Sequence, residues 1–175
     1  MAGDEVALAH LRRCVELARE SLEAGDEPFG SVLVDKAGIV LAEERNRSST
    51  GDPTQHPELA LARWAAVRLT PEERAEVTMY TSSEHCAMCA AAHGWVGLGR
   101  IVCASTSSQL TDWFIEMGMG PAPVAPLPVS TVAPGVAVEG PVTELSAEVR
   151  QMLRIFHKAD PDNVDENTSE GGRAV

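Results

Sequence analysis

Residues 77–105 read VTMYTSSEHCAMCAAAHGWVGLGRIVCAS, and the fold is decided within them. Residues 77–81 and 100–105 are short apolar runs with β-branched residues, the pattern of buried strands. Between them, residues 86–98 are rich in alanine, contain no proline, and meet Gly97 and Gly99 where a helix would end. Ser82 and Ser83 stand where helix-capping residues are expected. A strand, a helix and a strand in succession make a crossover unit, so the two strands should lie parallel in one sheet.

Towards the N-terminus, Val6, Leu8, Leu11, Val15, Leu17, Ala18 and Leu22 recur at steps of three and four, which predicts an amphipathic helix over residues 4–24, closed by Gly25. Residues 29–34 and 39–42 predict two strands joined by a tight turn at Asp35-Lys36-Ala37-Gly38. Residues 45–55 are polar and rich in turn formers, a loop that delivers the chain to His56. A second helix begins near His56, with Asp52 or Thr54 as its cap and Pro57 tolerated in its first turn, and Thr70-Pro71 stops it.

Towards the C-terminus, residues 118–141 hold many of the prolines and predict an irregular connection around one short strand at 129–132. A last helix follows over residues 143–158, with Val149, Met152, Leu153 and Phe156 on one face. Residues 160–175 are acidic and small, a composition that predicts a disordered tail. The order of elements predicts one domain over residues 1–159, a three-layer α/β/α sandwich whose sheet is largely parallel after the hairpin.

At 175 residues the chain can bury a core without disulfide or metal staples. Fourteen basic residues stand against 26 acidic ones, for a net charge of −12. That balance, with no basic run, argues against a polymeric nucleic-acid partner, which demands clustered cations. No segment reaches the roughly 18 apolar residues that cross a bilayer, and Met1-Ala2-Gly3-Asp4-Glu5 is acidic where a signal peptide is basic, so a cytoplasmic location and no membrane partner are expected.

Cys14 lies in the predicted first helix and Cys103 in a predicted strand, as core thiols. Cys86 and Cys89, three apart at a helix start, can reach one ion together. His56-Pro57-Glu58 offers a third ligand in His56 and a carboxylate to spare in Glu58. Three protein ligands on tetrahedral zinc leave one position for water, and a nearby glutamate can then move its protons. A rival arrangement uses His93, four residues after Cys89 and seven after Cys86, to close a four-ligand structural site with His56, leaving Glu58 idle.

The H-x-E and C-x-x-C pair, with Phe29-Gly30, Asn46-Arg47, Asp52-Pro53-Thr54, Tyr80-Thr81-Ser82 and Trp95, resembles the cytidine deaminase superfamily, and within it the branch of bacterial guanine deaminases and tRNA adenosine deaminases. The resemblance covers about residues 29–115. It implies a cytidine deaminase-like α/β/α sandwich with a mixed five-stranded sheet, one zinc ion on His56, Cys86 and Cys89, and hydrolytic release of ammonia with Glu58 as the catalytic proton shuttle. It further implies that Asn46 holds the base, that Phe29 and Trp95 wall the pocket, and that Asp112 receives an amino group of a purine. Phe156 would line the pocket from its own or a neighbouring subunit of a homodimer. Each has a plainer alternative: Asn46 as a loop residue, Phe29, Trp95 and Phe156 as packing, Asp112 as surface. Two positions depart from the family, Pro57 in place of alanine and His85 in place of the proline before Cys86, and His85 could shape the pocket or occupy the helix cap. The expected substrate is a small free base or nucleoside, guanine or a related aminated heterocycle first. Cytosine or an aminotriazine such as ammeline comes second, tRNA adenosine third, and a non-catalytic zinc module is the reading outside enzymes.

Overall fold

The computed structural model describes residues 2–158, and the expected tail at 160–175 lies outside them. Helix α1 (Ala2–Glu23) leads into the antiparallel strands β1 (Gly30–Val34) and β2 (Val40–Arg45). Asp35 turns the chain between them by accepting the Ala37 and Ile39 N–H groups on Oδ1, while Gly38 takes the positive φ of +83° that the turn needs. Then come α2 (Pro57–Arg68), α3 (Pro71–Glu76), β3 (Thr78–Ser83), α4 (Ala87–Val96), β4 (Ile101–Ser105), α5 (Ser107–Glu116), the single turn α6 (Val129–Val132), β5 (Val138–Glu139) and α7 (Thr143–Phe156). The sheet order is β2-β1-β3-β4-β5. β1 pairs antiparallel with both β2 and β3, and β3, β4 and β5 run parallel, so the sheet is mixed as expected.

Every residue of β1 and of β4 is buried, the mark of strands covered on both faces. Alternation sorts their side chains. Val32, Val34, Tyr80, Val102 and Ala104 pack against α1, α5 and α7, and Leu33 and Met79 face Leu61, Ala62 and Ala65 of α2. Gly30 is what lets α1 lie down on the sheet, because a Cβ there would overlap Leu17 and the Cys14 carbonyl.

Five local expectations are corrected. Ser82 and Ser83 do not cap α4: they are buried in β3, where Ser83 is in register with Ser105 and the Ser82 carbonyl accepts the Ser105 hydroxyl. Residues 129–132 form a helical turn, and the fifth strand is the two-residue β5, too short to carry a pattern. Asp52 and Thr54 do not cap α2, since Asp52 spends its carboxylate on Thr54 and Gln55 within its own turn. Thr70-Pro71 ends α2 but also starts α3, through a capping box with Glu73. Residues 107–116, left without an element by the sequence, form α5 through a second capping box of Thr106 with Gln109.

Candidate metal centre and the cleft around it

Two helices aim their N-termini at one point. His56 is the residue before α2, Cys86 the residue before α4, and Cys89 lies one turn into α4. Neither helix has a side-chain cap, so the partial positive charge of both starts is left for anions at this point. His56 Nδ1 stands 3.7 Å from the sulfur of Cys86 and 3.7 Å from that of Cys89, and all three ligand atoms lie within 4.8 Å of one another. Bond lengths of about 2.0 Å to nitrogen and 2.3 Å to sulfur on a tetrahedron place such ligand atoms about 3.5–3.8 Å apart, so the set fits zinc. No other His, Cys, Asp or Glu among the described residues joins the group. His93 in particular is committed elsewhere, donating from Nε2 to the Gly99 carbonyl at 2.8 Å, so the four-ligand alternative is not built.

The three ligands share protons as a unit. Hydrogen bonds from the Cys89 thiol, and next from His56, pull Cys86 down to about 4. The bond to Cys86, reinforced by the charge of Glu58, raises His56 to about 9, and the bond to Cys86 together with burial pushes Cys89 well above the usual thiol range. At neutral pH the metal-free set therefore holds a thiolate, a thiol and an imidazolium. Loading zinc at pH 7 should release about two protons per ion, one from His56 and one from Cys89, because a metal ligand must be deprotonated. Titration calorimetry in buffers of different ionisation enthalpy reads this count, and zinc affinity should rise with pH, less steeply once His56 has lost its proton and only Cys89 still has one to give.

Glu58, in the first turn of α2, is 5 % exposed. Its Oε1 lies 3.2 Å from the Thr81 hydroxyl and 3.4 Å from that of Ser31, residues that face each other across β1 and β3. Each hydroxyl has one hydrogen and a closer acceptor: Thr81 donates to the Ser83 carbonyl at 2.8 Å and Ser31 to Thr81 at 2.9 Å. The carboxylate is left poorly solvated, and burial raises its pKa. A carboxyl raised towards neutrality is suited to take up and return a proton. Sequence alone assigns neither Ser31 nor Thr81 a place beside Glu58, since only the strand register brings them there.

The remaining sequence candidates divide. Asn46 is fully buried at the end of β2: its N–H donates to the Phe29 carbonyl, its Oδ1 accepts from the Ser48 N–H, and its Nδ2 has no partner among the described residues. Phe29 is buried in the core beneath α1, and its carbonyl anchors Asn46. Phe156, at the end of α7, meets the ring of His157 edge-on at 5.0 Å.

Trp95 is 92 % exposed, six residues past Cys89 and so on another side of α4, where it borders a surface groove with α6. Asp112 is exposed on α5, because Leu110, Trp113 and Phe114 turn towards the core. His85 neither lines an open pocket nor caps the helix. It is buried with its ring 5.1 Å from that of His93, and burial, with His93 next, holds it well below the usual histidine range. Glu84, two residues before Cys86, was also missed: it accepts the first N–H of α5 and of α6 on separate oxygens and so ties both helices to the end of β3.

The family model described as the cytidine and deoxycytidylate deaminase zinc-binding region matches residues 4–105. A Schizosaccharomyces pombe protein described as a probable cytosine deaminase is 33 % identical over 106 residues, 61 % of this chain and 64 % of its own length. A guanine deaminase of Bacillus subtilis is 37 % identical over 86 residues, 49 % of this chain and 55 % of its own. The matched segment thus spans between half and two-thirds of these curated relatives. A solved structure of guanine deaminase from Nitrosomonas europaea shares the fold, with a TM-score of 0.62 at 24 % identity, over 86 % of this chain and 84 % of that one.

Proposed function

The chain belongs to the cytidine and deoxycytidylate deaminase zinc-binding family, and from that premise we propose that it is a zinc-dependent aminohydrolase of a free nucleobase, guanine or a related aminated heterocycle. The observation that carries this is the pairing of a three-atom ligand set with a spare buried carboxyl, Glu58. Zinc, when bound by His56, Cys86 and Cys89, supplies an activated water as the nucleophile for the ring carbon that bears the amine.

The rest is done by the chain's own residues. Glu58 accepts a proton on its carboxylate, returns it to the ring nitrogen beside that carbon, and serves again when the amine leaves as ammonia. Ser31 and Thr81 border Oε1, and with their hydroxyl hydrogens turned to closer acceptors they leave it open to a proton. Asn46 offers its unpartnered Nδ2 donor to an acceptor on the base. Burial of Glu58 excludes water from the shuttle and keeps its pKa raised.

Support for a small substrate comes from the guanine and cytosine deaminases among the relatives and from the net charge of −12. Cytosine is the second candidate, because the longer match is to the cytosine deaminase. A homodimer is part of the same proposal and would cover the exposed Val67 and Trp95, which sedimentation velocity can test. The deciding experiment offers the zinc-loaded protein guanine, cytosine, adenine, their nucleosides and aminotriazines, and measures ammonia. Guanine should be the fastest, and absence of ammonia from every compound would reject the proposal.

A further inference from the structure

Asn46 is fully buried, and hydrogen bonds take up every polar atom of it but one. Its N–H donates to the Phe29 carbonyl at 3.0 Å, its carbonyl accepts the Ser21 hydroxyl at 2.9 Å and Arg45 Nη1 at 3.0 Å, and its Oδ1 accepts the Ser48 N–H at 2.8 Å. A donor can meet only the oxygen end of a carboxamide, so the bond from Ser48 orients the group and leaves Nδ2 without a partner among the described residues. Two links place this residue at the site. The Arg47 N–H donates to the Gln55 carbonyl at 3.0 Å, which holds the loop's start at Asn46 beside its end, one residue before the ligand His56. Phe29, which accepts the Asn46 N–H, stands two residues before Ser31, whose hydroxyl borders the Glu58 carboxyl.

One carboxylate stands behind both the main chain and the side chain of Asn46. Asp26, in the turn between α1 and β1, is 3 % exposed, and its own N–H is tied to the Ser21 carbonyl. Its Oδ2 accepts Arg45 Nη1 at 3.0 Å, and the same nitrogen reaches the Asn46 carbonyl, so Asp26 fixes the main chain of Asn46 through Arg45. Its Oδ1 accepts the Ser49 N–H at 2.7 Å and pins the single 3-10 turn Ser48–Thr50, whose first N–H orients the Asn46 carboxamide. Arg47, the residue before that turn, gives it no side-chain cap, so Asp26 supplies the acceptor that the start of the turn needs.

We propose that Asp26 is a positioning residue for base binding: through Arg45 and Ser49 it holds the Asn46 carboxamide so that Nδ2 meets an acceptor on the base. The proposal rests on the deaminase reading above. Both oxygens of Asp26 are occupied by Arg45 and Ser49, so it acts on the base through Asn46 and leaves the metal ligands and Glu58 as they are. Its loss lets the turn and the carboxamide move, which weakens the hold on the base while the proton shuttle is unchanged. Weaker binding without slower chemistry is the signature that separates this role from a general loosening of the fold.

The test uses zinc-loaded full-length protein and the compound of the panel above that releases ammonia fastest, guanine being expected. Asp26→Ala should raise KM at least about 10-fold, with kcat within about 3-fold and zinc content unchanged. Asp26→Asn keeps an acceptor for the Ser49 N–H but loses the charge that holds Arg45, and should raise KM about 3-fold. It also serves if the unpaired Arg45 charge unfolds the alanine variant. Asn46→Ala should raise KM at least as much as Asp26→Ala, and adding either Asp26 substitution to it should raise KM no further, because the donor being held has gone. Equilibrium dialysis of the same compound against the Glu58→Gln protein should show the same non-additivity in Kd. A KM that both Asp26 substitutions leave unchanged, or that they raise as much in the Asn46→Ala protein as in the wild type, overturns the role of Asp26 while the deaminase reading stands. Absence of ammonia from the whole panel with the wild type overturns both.

Discussion

Glu58→Gln should lower turnover by about 100- to 10,000-fold while zinc stays bound at the wild-type level. The substitution keeps shape and burial but removes the group that carries the proton between water, ring nitrogen and leaving amine. It leaves His56, Cys86 and Cys89 untouched, so metal analysis separates a lost shuttle from a lost site. Stability gives an independent sign. Burial raises the Glu58 pKa above its ordinary value of 4.5. A carboxyl raised in the folded state binds its proton more tightly there than in the unfolded chain, so its contribution to stability falls as pH climbs above that ordinary value. The glutamine variant removes this penalty at neutral pH. Its Tm at pH 7 should match or exceed that of the wild type, and the gap should close in acid. A variant that keeps its turnover excludes Glu58 as the shuttle.

Cys89→Ala should abolish zinc retention after dialysis against a chelator, and ammonia release should vanish with it. Cys89 is buried one turn into α4, so the loss leaves two ligands, the exposed Cys86 and His56, with no described neighbour able to take its place. The fold should survive. The core lies in three apolar clusters built from α1, α5 and α7 on one face and α2, α4 and α6 on the other, independent of the ligand set. Thermal unfolding should therefore remain cooperative. Cys103→Ala is the matched control: Cys103 is buried in β4, raised by burial to about 12, and outside the ligand group, so its loss should cost about 1 kcal/mol of stability and no metal.

The metal ligands were legible because their chemistry is local. Two cysteines three apart and an H-x-E carry their meaning in spacing alone, and the strand-helix-strand over residues 77–105 announced the parallel crossover. Elements set by long-range contacts were less visible. β5 holds two residues and exists because β4 supplies its partner, and α5 depends on a capping box and on Glu84, 23 residues from the N–H it accepts. The exposure of Trp95 and Asp112 was not legible for a related reason: helical phase relative to the core, which no motif states, turns both outward. Ser31 and Thr81 reach Glu58 only once the strand register is known, and His157 meets Glu27 only once α7 has returned.

The most direct test of hydrolysis at this centre is to incubate the zinc-loaded protein with guanine and with cytosine in ¹⁸O-labelled water, scoring ammonia and label in the product together. One ¹⁸O atom at the carbon that lost its amine for each ammonia released, and neither in the Glu58→Gln protein, is the expected result. Fully metallated wild-type protein that releases no ammonia, or releases it without taking oxygen from water, would contradict the account.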